Sequence, residues 1–297
     1  MTRPTVVPVT VPMRRGSISG GRFDLAPQAI LEALDAFVAH GPDEPGRLME
    51  LGVWIEDPGP RDEIASMTPE DAFDWIRRSV ALATEGQGGR AEPNRTVVVL
   101  GGDNSITRPG VHAMTPPPAD LARVGLLTID AHHDLRPLDG GLTNGNPIRA
   151  LLEDGLPGAN VVQIGVQPLA NPGPSVGVAR DAGIGVVTAD QVRARGSEAV
   201  VGRALDDLSR RCQAIYVDLD VDVLDRAFAP ACPGSRPGGL HPAEVQAAAR
   251  RCGSHPKVRA MDIVEIDPTR DVGDVTVLAA ASFLLAFATG VASRSPS

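Results

Sequence analysis

The chain has 297 residues, of which 42% are hydrophobic and 22% are charged, so its composition is that of a globular protein and not of a disordered one. Aromatic residues make up 3% of the chain, which leaves Val, Leu, Ile and Ala to build the core. The formal net charge of −9 excludes an extended surface for nucleic acid or anionic membranes, because both require an excess of basic side chains.

The N-terminal residues are interrupted by prolines and have no continuous apolar stretch, so they do not predict a signal peptide. We expect residues 1–20 to form an irregular arm, followed by an amphipathic helix at 25–37. The three cysteines contain no CxxC pair, which argues against a disulfide framework and a structural zinc site and is typical of a reducing cytoplasm.

Short aliphatic runs, typical of strands buried on both faces, recur along the chain. They lie at residues 53–55, 96–100, 124–130, 161–166, 184–188, 214–220 and 258–266. Helical patterns lie between them: Thr68 caps a helix predicted at 69–85, and two more are predicted at 197–212 and 242–252, the last with Gly253 as its C-cap.

Strands that alternate with helices predict right-handed crossovers and a parallel sheet with helices on both faces. No Gly/Pro-rich stretch divides the chain into two zones of composition. We therefore expect one α/β domain over residues 1–297, with three α/β/α layers and a central, mostly parallel sheet.

Residues 275–292 contain no charge and reach the ~18-residue length at which an apolar segment can span a membrane. The segment is rich in Ala, includes Thr276, Ser282 and Thr289, and has no basic flank except Arg294. We therefore expect a buried terminal helix that packs against the sheet.

Polar residues follow four of the predicted strands. They are the GGDNS motif at 101–105, the DAHHD motif at 130–134, the acids Asp220, Asp222 and Asp225, and Glu265. Because ligands bind at the carboxyl ends of parallel strands, we expect these motifs to meet at one edge of the sheet.

The spacing of these residues predicts a metal site. Asp130, His132 and Asp134 are two residues apart, so an extended chain directs them to one side, and Asp220 and Asp222 repeat this spacing. Carboxylates within ~4 Å of each other in a poorly solvated cleft repel by several kcal/mol, so either their pKa values rise or cations neutralise them. Many carboxylates with one imidazole favour Mn²⁺ over zinc, and two such ions lower the pKa of a shared water.

The motifs GGDNS, DAHHD, DLDVDVLDRAFAP and DIVEIDP, in this order, resemble the four signatures of the ureohydrolase family, which includes arginase, agmatinase and formimidoylglutamase. The resemblance covers roughly residues 96–268 and implies an arginase-like fold. It implies one metal held by Asp130, Asp134 and Asp220, with Asn104 at the family's usual His position. It implies a second metal held by Asp130, His132, Asp220 and Asp222.

The same resemblance assigns Glu265 to the carboxylate that receives the cationic amidine or guanidine group of the substrate. Two positions depart from the arginase pattern. Asn104 replaces an imidazole ligand, and Asn144 stands where arginases carry the His of a His-Gly pair. These departures argue against arginase itself, and the segments DAHHDLR, NGNPIR and VVQIGVQPLAN are more similar to formimidoylglutamase.

On this resemblance the reaction is hydrolysis of N-formimidoyl-L-glutamate to L-glutamate and formamide by a hydroxide that bridges two metals. Asp134 is expected to relay a proton to the leaving amine, and Glu265 to bind the amidine. Arg136, Asn144 and Arg149 are candidate partners for the substrate carboxylates, although a solvated surface position is an equal alternative for both arginines.

Other functions stay open at this point. They are an agmatinase or another guanidino-acid hydrolase that releases urea, and a family member with weakened or lost catalysis that serves as a binding subunit. A phosphohydrolase is disfavoured because the sequence has no Walker-type phosphate loop. The resemblance further implies two Mn²⁺ per subunit, with Ni²⁺ or Co²⁺ as alternatives, and a homotrimer or homohexamer in the cytoplasm. It implies an amidine or guanidine as the small-molecule substrate, with neither nucleic acid nor membrane as a partner.

Several polar residues near these motifs have a structural interpretation that we favour over a catalytic one. We expect Asp103 and Asp225 to stabilise turns, His133 to pack behind the site, His112 and His241 to lie at helix ends, and Cys232 to be a small apolar residue.

Overall fold

The computed structural model describes residues 5–37, 62–85, 95–115 and 120–294. Seven strands in these ranges form a single sheet. They are β1 (Thr5–Val11), β2 (Arg95–Gly101), β3 (Val124–Ile129), β4 (Val161–Val166), β5 (Gly185–Thr188), β6 (Ala214–Asp220) and β7 (Val258–Val264). All pairs are parallel, in the order β1-β2-β7-β6-β3-β4-β5. Six predicted strands are thus confirmed, and the seventh, 53–55, lies outside the described residues.

The expectation of an irregular arm over residues 1–20 is wrong for residues 5–11. These residues form β1, which pairs with β2 from Thr5 opposite Arg95 to Val11 opposite Gly101. The prolines obscured a continuous β-branched run, which only Pro8 interrupts. Pro8 is tolerated because β1 is an edge strand, which needs ladder hydrogen bonds on one side only.

Helices cover both faces of the sheet, as a three-layer α/β/α fold requires. They are α1 (Ala26–Ala33), α2 (Asp62–Ser66), α3 (Pro69–Glu85), α4 (Thr107–His112), α5 (Pro147–Glu153), α6 (Gly173–Asp181), α7 (Ala189–Arg195), α8 (Ser197–Ser209), α9 (Pro242–Ser254) and α10 (Val275–Ala292). One buried cluster joins the sheet to α1 and α7 to α10, and a second joins it to α3 to α6. The predicted fold class is confirmed.

The helix ends test the capping predictions. Thr68 Oγ1 accepts a hydrogen bond from the Asp71 backbone N–H at 3.2 Å, and His241 forms a reciprocal capping pair with Glu244 at the start of α9. The C-cap predicted at Gly253 is wrong, because α9 continues to Ser254. Gly253 has another role: a Cβ there would lie 2.1 Å from the Phe287 carbonyl oxygen, so the glycine permits close packing of α9 on α10.

The predicted terminal helix is confirmed as α10, with the bounds expected from its sequence. Its mean hydropathy of 2.1 and its length would also suit a membrane span. The buried side chains Phe283, Leu284 and Phe287 pack into the cluster shared with α9 and the sheet, which accounts for the apolar composition.

Candidate metal centre and substrate cleft

The carboxyl ends of β2, β7, β6 and β3 are adjacent in the sheet, and each carries polar side chains. Asn104 follows β2, Glu265 follows β7, Asp220 ends β6, and Asp130 follows β3. Residues that are up to 161 positions apart in the sequence therefore meet at one rim, as Asn104 and Glu265 do through a hydrogen bond of 2.8 Å from the Asn104 N–H to Glu265 Oε1. We call Asp130, His132, Asp134, Asp220, Asp222 and Glu265 the rim acids and histidine, or rim cluster.

The centre of the rim cluster is a group of three ligand-type side chains. Asp130, His132 and Asp222 each place a ligand atom within 4.8 Å of the others. His132 Nδ1 lies 3.0 Å from Asp222 Oδ2 and 3.5 Å from Asp130 Oδ1. The remaining oxygen, Asp222 Oδ1, is buried and has no hydrogen-bond partner among the described residues. An orphaned anionic oxygen of this kind fits a cation ligand.

The backbone around the rim acids is fixed by local hydrogen bonds and by two left-handed residues. Asp220 Oδ1 accepts a hydrogen bond from the Asp222 N–H at 2.8 Å, and Asp130 Oδ1 accepts one from the His132 N–H at 2.6 Å. Asp134 and Glu265 have φ values of +52° and +70°, a left-handed conformation that is rare outside glycine. Strain of this type, of order 1–3 kcal/mol each, is concentrated at functional sites.

The electrostatics of the rim cluster require a counter-charge. Burial and the neighbouring Asp222 raise the pKa of Asp130 to about 6, and burial raises the pKa values of Asp134 and Asp220 well above the usual range. Burial and Asp103 raise the pKa of Glu265 to about 8. The charge of Asp222 raises the pKa of His132 to about 12. Carboxylate oxygens with one imidazole nitrogen are a donor set that suits a hard divalent cation such as Mn²⁺.

Asn104 lies beside the rim cluster, where its amide nitrogen contacts Asp134 and its amide oxygen contacts Thr107. Asn104 Nδ2 donates a hydrogen bond to Asp134 Oδ2 at 2.7 Å, whereas its Oδ1 lies 2.6 Å from the Thr107 hydroxyl. The only atom that could bind a metal therefore points to Thr107. Metal ligation by Asn104 would require the amide to turn, and the ligand role stays a prediction.

The three predicted contacts to the substrate tail differ in their surroundings. Asn144 Nδ2 donates to Glu265 Oε1 at 2.9 Å. Arg136 is exposed and lies against Gly145, with no hydrogen bond from its guanidinium to the described residues. Arg149 forms an ion pair with Glu153 at 3.0 Å on the surface of α5, which is the alternative we left open for it. The role of each in binding substrate stays a prediction.

The residues with a structural interpretation occupy structural positions. Asp103 accepts hydrogen bonds from Gly16 and Ser105, and Asp225 accepts them from Ala227 and Gly238. His133 Nδ1 lies 2.6 Å from the Gln163 side chain, behind the cluster. His112, at the end of α4, lies 2.9 Å from Asp154, and Cys232 is fully buried.

Two features of the site were not predicted from the sequence. The first is the loop of residues 12–22 after β1, which contacts Asp103 and Asn144. The second is a buried pair of acids inside the sheet, Asp218 and Asp262, directly opposite each other on β6 and β7. A signal for the pair was present, since an Asp stands in the middle of each aliphatic strand.

Comparison with known proteins is consistent with this geometry. The model of the arginase family matches residues 5–289. A formimidoylglutamase from Halalkalibacterium halodurans is 35% identical over 284 residues, which cover 95% of this chain and 86% of that protein. The matched region contains every residue of the rim cluster.

Solved structures show the same relationship. The crystal structure of formimidoylglutamase from Bacillus subtilis superposes with a TM-score of 0.87 and 28% identity, over 99% of this chain and 89% of that chain. A formiminoglutamase from Trypanosoma cruzi, crystallised with Mn²⁺, has a TM-score of 0.84 at 23% identity and covers 99% of this chain and 95% of that chain. The second likeness supports the shared fold.

Proposed function

Because the chain belongs to the arginase family, we propose that it is a hydrolase of linear amidines that converts N-formimidoyl-L-glutamate and water into L-glutamate and formamide. The observation that carries this proposal is the match to formimidoylglutamases along nearly the whole chain, together with the rim cluster that the match contains. The C–N bond broken is the one between the formimidoyl carbon and the glutamate nitrogen.

We propose that the rim cluster holds two divalent cations, with Mn²⁺ as the metal and Ni²⁺ or Co²⁺ as alternatives. Asp130, Asp134 and Asp220 would hold one ion, with Asn104 beside it. Asp130, His132, Asp220 and Asp222 would hold the other. When bound, two such ions lower the pKa of a shared water and supply hydroxide near neutral pH.

The side chains of the cleft then bind the substrate and manage its protons. Glu265 Oε1 accepts hydrogen bonds from Asn104 and Asn144, while Oε2 accepts none from the described residues. Oε2 is thus free to accept an N–H of the cationic amidine, which a buried carboxylate binds strongly. Asp134, whose Oδ2 accepts a hydrogen bond from Asn104 Nδ2 at 2.7 Å, is the candidate to carry a proton to the leaving nitrogen.

Arg136 is the remaining candidate for the substrate tail. N-formimidoyl-L-glutamate carries two carboxylates, and an exposed guanidinium without a partner among the described residues can bind one of them with paired hydrogen bonds. The backbone N–H of Arg136 donates to the Gly145 carbonyl oxygen at 3.0 Å, so the backbone that carries this side chain is held in place.

We also propose that the chain forms a homo-oligomer, a trimer or hexamer, in the cytoplasm. The family resemblance supports the oligomer. The three cysteines support a reducing compartment, because each is buried and none forms a disulfide.

A substrate panel tests the reaction. Protein loaded with Mn²⁺ is assayed with N-formimidoyl-L-glutamate, agmatine, arginine and guanidinobutyrate, and the metal content per subunit is measured on the same sample. Formamide from the first substrate is the expected product. Urea from a guanidino compound would instead establish a ureohydrolase, and no turnover of any of the four with two metals bound would point to a binding subunit.

A further inference from the structure

We propose that Asn144 is a positioning residue for Glu265, and that it contacts neither the carboxylates of the substrate nor the proton that is transferred. The inference deepens the proposed function and depends on it for the identity of the substrate. It replaces the role in substrate binding that the sequence predicts for Asn144.

The first argument is that the polar atoms of Asn144 are already engaged. Its backbone N–H donates to the Gly16 carbonyl oxygen at 2.8 Å. Its Oδ1 accepts from the Ile18 N–H at 3.1 Å, and its Nδ2 donates to Glu265 Oε1 at 2.9 Å. One N–H of Nδ2 is thus committed to Glu265 and Oδ1 to the loop after β1, which leaves the second N–H of Nδ2 as the one side-chain donor without a partner among the described residues.

The second argument is the state of Glu265. Its side chain is 5% exposed, and its backbone is left-handed, with an N–H that donates to the Gly102 carbonyl oxygen at 2.8 Å. Asn104 N–H and Asn144 Nδ2 both donate to the same oxygen, Oε1. Two donors on one oxygen select one rotamer of the carboxylate and leave the other oxygen, Oε2, without a partner among the described residues. Such preorganisation is what a binding group for a transition-state charge requires.

The third argument is that the segment bearing Asn144 is rigid. Asn146 is buried, and its Oδ1 accepts from the Thr143 N–H at 2.8 Å while its Nδ2 donates to the Gly141 carbonyl oxygen at 2.9 Å. Asn144 is therefore presented by a closed turn.

The partner on the other side of Asn144, the loop of residues 12–22, is also anchored. Gly16 N–H donates to Asp103 Oδ2 at 2.9 Å, and Asp103 N–H donates to the Met13 carbonyl oxygen at 2.9 Å. Gly102 packs so close to this loop that a Cβ would lie 1.7 Å from the Met13 carbonyl oxygen. Asn144, in the loop after β3, thus connects the loop after β1 to Glu265 at the end of β7. The position of Glu265 depends on all three segments.

The chemistry of the amide fits this role. An amide has no proton to exchange near neutral pH, so Asn144 cannot relay one. A carboxylate at this position could not donate to Glu265 and would repel it.

The test separates positioning from binding of the tail by comparing two substrates. Asn144→Ala is assayed with N-formimidoyl-L-glutamate and with N-propylformamidine, which has the same reacting group and no carboxylate. If Asn144 acts through Glu265, kcat/KM falls by about 10–100-fold, as for residues that orient an active group, and by the same factor for both substrates. A loss confined to N-formimidoyl-L-glutamate would overturn the proposal. If Asn144→Ala does not fold, Asn144→Gln, which keeps the amide on a longer stem, takes its place.

A double-mutant cycle gives a second readout. In a Glu265→Gln background, Asn144→Ala should cause little further loss, because the two residues act as one unit. Fully additive losses would contradict the proposal. Metal content should be unchanged in Asn144→Ala.

The matched control is Gln28→Ala. Gln28 Nε2 donates to Glu32 Oε1 at 2.9 Å, the same contact as between Asn144 and Glu265, but on the exposed face of α1. This variant should keep the parent kinetics. If the parent protein hydrolyses neither substrate, the proposed function is refuted, and the double-mutant cycle is then measured on the free energy of unfolding. Absence of coupling there overturns the positioning role itself.

Discussion

The molecule contains two groups of buried acids that use the same residue type in opposite ways. The rim cluster lies at the strand ends, where a quarter of the His132 side chain is exposed to solvent. Asp218 and Asp262, the in-sheet pair, lie two residues before those ends of β6 and β7 and are fully buried. The difference lies in which positive charge can reach the acids.

The in-sheet pair is neutralised within the protein. Asp262 accepts hydrogen bonds from the hydroxyls of Thr107 at 2.8 Å and Tyr216 at 2.9 Å, and from the Leu219 N–H at 3.2 Å. Burial raises the pKa of Asp262 to about 6, and burial with the charge of Asp262 raises the pKa of Asp218 well above the usual range. Neither oxygen of Asp218 has a hydrogen-bond partner among the described residues. We therefore expect Asp218 to hold a proton that it shares with Asp262. At the rim, which solvent reaches at His132, a cation could take the place of the proton, and the same repulsion would then favour metal binding.

The largest effect is expected at the rim, from Asp220→Asn. Asp220 is assigned to both metal positions, so its loss should remove metal from both and lower kcat/KM by at least about 10³-fold. In the metal-free protein the same variant should melt at a higher temperature, because it removes one charge from a repelling group. Metal analysis and thermal melting measure both. Full metal content with parent activity would contradict the bridging assignment.

After chelation, we expect the rim acids to make the stability of the metal-free protein depend on pH. The folded pKa values of Asp130, about 6, and Glu265, about 8, exceed their ordinary values, so the folded state binds more protons than the unfolded state. Stability of the metal-free protein is then full below about pH 4 and is lost as the pH rises through 6 and 8. Melting temperatures should fall by about 5–10 °C over this window and stay nearly level in protein loaded with Mn²⁺. If melting temperature fell equally with pH in the metal-free and the Mn²⁺-loaded protein, the rim acids would not be the cause.

A smaller effect is expected from Asp218→Asn, which should stabilise the protein and leave its activity unchanged. An amide can donate to Asp262 as the protonated acid does, but without taking up a proton on folding. Because the folded pKa of Asp218 is raised, the parent loses stability above about pH 4, and the variant does not share that loss. In protein loaded with Mn²⁺ we expect the free energy of unfolding to rise by about 1–2 kcal/mol at pH 8 and less at pH 5, with activity retained.

The matched variant for Asp218→Asn is Asp262→Asn. It should be destabilising, because Asp262 is the acceptor for three donors and an amide offers a single acceptor oxygen. If both variants change stability in the same direction, the shared proton is not the explanation.

The smallest effect is expected from a solvent-facing acid, Asp154. Burial tends to raise its pKa, but His112 and Arg108, the latter at 2.7 Å, bring it to about 2. The stability this pair contributes is present above about pH 4 and is lost as the pH falls through 2. Since 21% of the side chain is exposed, Asp154→Asn should cost about 1 kcal/mol or less at pH 7 in urea unfolding. If Asp154→Asn lowered the free energy of unfolding by several kcal/mol, exposure to solvent would not explain why this acid contributes less than the buried ones.

Much of the architecture follows from local sequence patterns. Continuous aliphatic runs predicted six strands. The extended chain expected for Asp130, His132 and Asp134 is wrong at Asp134, whose backbone is left-handed, and of these three only Asp130 and His132 join Asp222 within 4.8 Å. Strand β1 was missed because Pro8 marks a breaker in any local reading, and its tolerance depends on being at the sheet edge. Whether a strand is at an edge is a property of the whole sheet.

The residue types of the site were readable from the motifs, since donor chemistry is a property of each side chain. Three further facts depended on contacts between distant segments. Asn144 donates to Glu265, 121 positions away; Asn104 turns its oxygen to Thr107; and Asp218 faces Asp262 across two strands. A sequence determines which groups can bind, donate or ionise. Their partners and protonation states were decided by tertiary structure, because hydrogen-bond direction and desolvation depend on neighbours that the chain brings together only when it folds.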